Sequence, residues 1–236
     1  MAHIKRGGLV SSLAIGIVLA LTLGAVGASA DSISFNLTAA NSGLNTGSGG
    51  CCTGPYASFT LNRTSTTTAT VTLNSLTNGG FIYLIGNNQG FAVNVNGTAT
   101  SSGFTASNSL AGFTPGPVSD GGSTSMDGFG TFSNSENFFD GFTSTATTAS
   151  FTLTATGGTT WASAASVLKN NASGASVAYH GFACATSVAV PCSSTTGATS
   201  TGFATAVPEP TTISLLAALG GLIAFAAVRL RSQSAS

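Results

Sequence analysis

Four acidic side chains, Asp120, Asp127, Glu136 and Asp140, fall close together in a glycine-rich part of the chain. Oxygen donors on flexible loops suit calcium, yet the spacing fits neither an EF-hand nor a glycine-rich calcium repeat. The acids therefore read either as ligands of one ion or as solvated loop charges, and no metal or cofactor is assigned to them. His180 could serve a nucleophile or a metal, but no acid adjoins it and no second histidine lies beyond His3. It reads as a strand residue. The chain carries no G-x-S-x-G elbow, no glycine-rich phosphate loop and no H-E-x-x-H pair, so no catalytic residue is named. Trp161, Tyr83 and Tyr179, with the clustered Phe138, Phe139 and Phe142, could form a stacking platform for sugars. The plainer expectation is that strands bury them.

The elements that must position these residues are short and alternating. SISFNLT puts Ile33, Phe35 and Leu37 on one face, and ATVTLN does the same with Ala69, Val71 and Leu73. FAVNV follows with Phe91, Val93 and Val95, and ASFTLTA with Ala149, Phe151, Leu153 and Ala155. Period-two alternation with Thr on the wet face predicts half-buried antiparallel strands. FIYLI, Phe81 to Ile85, is apolar throughout and predicts a central strand, with GNNQG as a hairpin loop leading to FAVNV. GTFSN, SVAYHGFA and TGFATA are further strand candidates. The expected fold is all-β: an antiparallel β-sandwich, jelly-roll-like. TWASAASVL, Thr160 to Leu168, is the one helical candidate. Asn41 to Pro55 predicts a loop pinned by cysteines, and Ser101 to Met126 a long surface excursion.

Only 5% of the 236 residues are charged, with no net charge, against roughly 25% in ordinary soluble domains. Between residues 31 and 207 only Arg63 and Lys169 oppose Asp31, Asp120, Asp127, Glu136 and Asp140. Without a basic patch, nucleic acid is not expected as a partner. Residues 1–30 read as a secretory signal peptide. His3, Lys5 and Arg6 precede an apolar run from Leu9 to Val26, and Ala28-Ser29-Ala30 forms a small-residue cleavage site. An uncleaved anchor is the competing reading. Cleavage after Ala30 leaves Asp31 as the first residue of a body spanning 31–206. In an exported chain, four cysteines suggest two disulfides. Cys184 and Cys192 are the expected local pair, with Pro191 turning the chain. Adjacent Cys51 and Cys52 bridge each other only with strain, which leaves pairing elsewhere or with another chain open.

At the other end, residues 207–236 turn apolar. The stretch 211–228 has 18 residues, about 27 Å as a helix, enough to cross a hydrocarbon core of about 30 Å. Arg229 and Arg231 hold the far end on the cytoplasmic side. Pro208-Glu209-Pro210 stays extended at the outer face, because proline lacks an N–H and restricts its predecessor.

This order of V-P-E-P motif, single hydrophobic span and arginine-bearing end resembles the PEP-CTERM sorting signal of Gram-negative bacteria. The segment FTLTATGGTTWASAASVLKNNASGASVAYHGFAC is also similar to the end of many proteins that carry that signal. The resemblance implies recognition of Pro208, Glu209 and Pro210 by an exosortase, a membrane-embedded cysteine peptidase that removes the tail, with Arg229 and Arg231 as the cytoplasmic end. It further implies an association with exopolysaccharide and biofilm. A retained single-span anchor is the alternative. The protein is expected in the cell envelope or outside the cell, transiently held to the membrane. For the body, three readings stand: a non-enzymatic surface or matrix protein, a carbohydrate-binding module with aromatics exposed on one sheet face, and a secreted enzyme.

Overall fold

A computed structural model describes residues 31–45, 51–86, 88–110, 115–138, 145–186 and 198–206. The expected signal peptide, sorting motif, membrane span, Cys192 and Asp140 lie outside these residues. No helix among the described residues is long and apolar enough to cross a membrane.

The alternating segments become strands, and the apolar side of each alternation turns inward. β1 (Asp31–Leu37), β3 (Ala57–Arg63), β4 (Thr68–Ser75), β13 (Thr148–Thr156) and β8 (Thr98–Ser107) form one five-stranded antiparallel sheet in the order β1-β3-β4-β13-β8. A second sheet orders β2 (Ala39–Ala40), β15 (Ala198–Thr205), β14 (Val177–Ala185), β7 (Phe91–Val93), β12 (Asn134–Phe138) and β9 (Val118–Asp120). β6 (Phe81–Ile85) also pairs with β14, and β5 (Thr77–Asn78) with β6.

The two sheets share one core. Phe59, Leu61, Val71, Leu73, Phe151 and Leu153 from the first meet Tyr83, Ile85, Phe91, Val93, Val177 and Tyr179 from the second. Phe91 packs across the interface on Phe59 and Phe151, with ring centroids 6.1 and 5.3 Å away. The all-β antiparallel sandwich is therefore the observed architecture. Both faces of β6 and β7 are covered. Leu84 packs with Phe182 and Cys184. Ala92 lies under Met126 and Phe132 of the hairpin formed by β10 (Thr124–Met126) and β11 (Gly130–Phe132).

Three expectations need correction. GNNQG is not a hairpin loop: β6 and β7 do not pair with each other but lie end to end along β14. Gly86 N–H donates to the His180 carbonyl and His180 N–H to the Gly90 carbonyl, at 3.2 and 3.0 Å. Five residues thus stand where a regular ladder needs one, as an enlarged β-bulge. The excursion expected at 101–126 instead carries most of β8, then β9 and β10. The expected helix at 160–168 shrinks to a 3-10 turn at Ala164–Ser166, capped by Ser163. Trp161 fixes the chain there, because its ring is buried and its indole N–H donates to the Asn96 carbonyl at 3.0 Å.

A polar cleft at a strand interruption

The outer face of the second sheet carries a cleft of about 330 Å³, lined by Asn88, Gln89, Gly121, Thr124, Ser135 and Asn137. Three elements build it. The bulge between β6 and β7 supplies Asn88 and Gln89, the β9–β10 turn supplies Gly121 and Thr124, and β12 supplies Ser135 and Asn137. Alternation along β12 sends Ser135 and Asn137 outward while Asn134, Glu136 and Phe138 point between the sheets.

Hydrogen bonds hold the walls in place. Asn137 Oδ1 accepts from the Gln89 backbone N–H at 3.1 Å. Ser135 Oγ donates to the Gly122 carbonyl at 3.0 Å, and Gly121 N–H donates to the Ser135 carbonyl at 3.0 Å. The turn presses so close on Ser135 that a side chain at Gly121 would collide with its hydroxyl. Gln89 has φ +64°, a left-handed backbone that a non-glycine residue rarely adopts. Its strain is sustained by the bonds on either side and sits inside the cleft. Every side chain on the lining is a carboxamide or a hydroxyl, so the cleft offers donors and acceptors without a formal charge.

His180 lies beneath the bulge. Its Nδ1 is 3.3 Å from the Asn88 carbonyl, its Nε2 3.1 Å from Thr201 Oγ1, and its ring stacks on Phe203 at 4.4 Å. A carbonyl can only accept, so Nδ1 carries the proton, and Nε2 is an acceptor beside the Thr201 hydroxyl, which it shares with the Gly181 carbonyl at 3.3 Å. Burial lowers the imidazole pKa, against a smaller opposing effect of the Asn88 carbonyl. The ring is thus a neutral brace between loop and strand, as its strand setting suggested.

Asp120 stands opposite Glu136 in the β9–β12 pairing, but among the described residues Asp120, Asp127 and Glu136 do not gather into one three-ligand cluster. Asp120 ends the edge strand β9, and its carboxylate accepts from Gly122 N–H at 2.9 Å. Asp127 sits in the β10–β11 turn and accepts from Asn41 Nδ2 at 3.0 Å. Asp120 and Asp127 are exposed, as solvated charges would be, and of these three Glu136 alone departs from that reading. It lies on β12, fully buried, and neither carboxylate oxygen has a hydrogen-bond partner among the described residues. Desolvation pushes its pKa up to about 9. No group of three metal-ligating side chains occurs among the described residues.

Trp161, Tyr83, Tyr179 and Phe138 are all core residues. Tyr83 donates to the Thr53 carbonyl at 2.9 Å and meets Tyr56 edge-on at 4.9 Å. These four of the six aromatics named for sugar stacking therefore offer no exposed platform. Cys51 and Cys52 lie side by side with their sulfurs in contact, both at the edge of the core. Cys184 is buried on β14 beside Leu84 and Phe182. Cys192, Ala28, Ala30, Pro208, Glu209, Pro210, Arg229, Arg231, Phe139 and Phe142 fall outside the described residues.

Sequence reasoning named GNNQG as a turn but missed the cleft, since Ser135 and Asn137 meet it only through pairings far apart in the chain. Comparison with family models, curated proteins and solved structures returns no match.

Proposed function

We propose that the chain is an exported, non-enzymatic surface or matrix protein, sorted through the tail at 207–236 by an exosortase-type peptidase and linked to extracellular polysaccharide. The same reading carries the signal peptide, the transient membrane helix at 211–228 and the jelly-roll-like classification of the body. One observation supports it best. The described strands all lie between the two expected processing sites. β1 begins at Asp31 and β15 ends at Thr205. Asp31 is part of the fold, with its carboxylate accepting from Arg63 Nε at 2.7 Å and from Ala164 N–H at 2.8 Å. At the other end Thr205 pairs with Ala39 and Ala178. Removal of either hydrophobic end thus takes none of the described strands from the sandwich. Among the described residues His180 Nδ1 meets the Asn88 carbonyl, where a hydrolase would place a carboxylate, which favours a non-enzymatic role.

Mass spectrometry of the protein exported by a host with the processing enzyme tests this reading. Wild type ends near residue 207. Replacing Pro208, Glu209 and Pro210 by alanine leaves export intact and the tail attached. An unchanged terminus in that variant removes the motif's role. The same digest, run without reductant, reads the Cys184–Cys192 pairing, and free thiols at both positions overturn it.

A further inference from the structure

We propose that the cleft between the β6–β7 bulge, the β9–β10 turn and β12 binds one neutral, hydroxyl-rich sugar unit of a glycan. No lining residue belongs to the sorting tail, so this inference is tested independently of tail processing.

The cost of building the cleft argues that it does more than join two strands. β6 and β7 follow one line along β14, and a single residue opposite His180 would complete the ladder. The chain instead inserts an excursion, places Gln89 in a left-handed conformation, and ties it to Asn137. Bulges of this kind recur next to functional sites because they re-aim side chains.

The lining selects the ligand class. Asn137 spends its carbonyl oxygen on the Gln89 N–H, which leaves its amide as a donor. Among the described residues no hydrogen bond engages the Gln89 carboxamide or the Thr124 hydroxyl. Alcohol groups both donate and accept, and they match amides and hydroxyls with no charge left over. A phosphate or carboxylate has no cation on the lining to meet it, and an aromatic ligand has no ring to stack on. The volume lies at the low end of small-molecule sites, about 300 to 1,000 Å³, which fits one or two sugar rings rather than a longer segment. Neutral hydrogen bonds gain little over water, so one cleft binds weakly. Repetition along a polymer raises the effective affinity.

Saturation-transfer NMR tests this on the full chain, held in a polyoxyethylene detergent that contains no sugar. The probes are glucose, cellopentaose, laminaripentaose and maltopentaose, with tetragalacturonate as the charged control. At least one neutral pentasaccharide is expected to receive saturation, more strongly than glucose and than the charged control. Gln89→Gly removes the carboxamide while suiting the left-handed backbone, and Thr124→Val keeps the shape of the side chain. Each is expected to weaken binding by about fivefold, the loss of one ordinary neutral hydrogen bond, with an unchanged melting curve. Transfer to glucose as strong as to the pentasaccharides assigns the site to a free sugar or a chain end and overturns binding within a glycan. No transfer to any neutral probe overturns the proposal, as does preference for tetragalacturonate. Neutral binding that both variants retain moves the site elsewhere and overturns it equally.

Discussion

Glu136 is the residue with the clearest solution signature. Its carboxyl lies between the sheets, flanked in register by Phe91 and Asp120, and desolvation pushes its pKa up to about 9 from 4.5. The folded chain therefore holds a proton there at neutral pH that the unfolded chain releases. With the folded pKa raised, the stability this group contributes is fully present below 4.5 and is lost as pH rises toward 9. From pH 7 to 8.5 no other described side chain with a shifted pKa titrates. His180, with its folded pKa lowered, loses stability only in acid, below its unfolded value of 6.5, and the buried tyrosines titrate above 10. At about 1.4 kcal/mol per pH unit, wild type should lose about 2 kcal/mol across that window. Glu136→Gln keeps the shape without the ionisation and should be flat. Urea unfolding of the exported protein at the two pH values measures both, and an equal slope in the variant assigns the effect to another group. The burial of Glu136 was hidden in the sequence. GTFSNSENFFDG is polar and flanked by glycine, and only the pairing of β12 with β7 and β9 shows which of its side chains face inward.

At the scale of elements, what the sequence reveals is local and what it conceals is pairing. Ile33, Phe35 and Leu37, or Ala149, Phe151 and Leu153, announce their strands because alternation is carried by neighbours in the chain. FIYLI and FAVNV were equally legible as strands. Their arrangement was not, since it depends on β14, which lies some ninety residues further on. A hairpin and an interrupted single strand look alike until that partner is known. The alanine-rich stretch before Leu168 misled for a related reason: buried Trp161 and its bond to Asn96 override weak local helix preference. The interruption itself makes a prediction. Gly86 and Gly90 each supply one of the two hydrogen bonds to His180. Deleting Asn87 through Gly90 lets Gly86 supply both and makes β6–β7 continuous. Loop closure opposes this little, so the melting temperature should stay within a few degrees while the cleft disappears. Loss of the cooperative melt would instead make the bulge a structural necessity.

Across the whole molecule, few charges force hydroxyls and amides to keep the surface wet. On the outer face of the five-stranded sheet, Ser34, Thr60, Thr72, Ser150 and Thr105 stand in one cross-strand row. Ser34 bonds Thr60 and Thr105 bonds Ser150, each at 2.8 Å. A parallel row runs through Asn36, Ser58, Asn74, Thr148 and Ser107. This face is hydrated without being charged. The edge strand β8 also lacks charge, a weak defence against edge-to-edge pairing. It carries instead the left-handed Gly103 and a register break opposite Ser150 and Thr152, which bend it away from a flat template. Inside, the aromatic and aliphatic side chains of both sheets supply stability, about 1.5–3 kcal/mol for each large one fully buried. The described core is built from residues between Ile33 and Ala204. Residues 31–206 expressed alone should therefore be soluble and give a sheet-dominated circular dichroism spectrum with a single cooperative melt. A helical spectrum overturns the fold. A coil spectrum without a melt means that the serine, threonine, glycine and asparagine content cannot support a core once the ends are removed. The body and its tail would then be interdependent, and the separation on which sorting by tail removal rests would be lost.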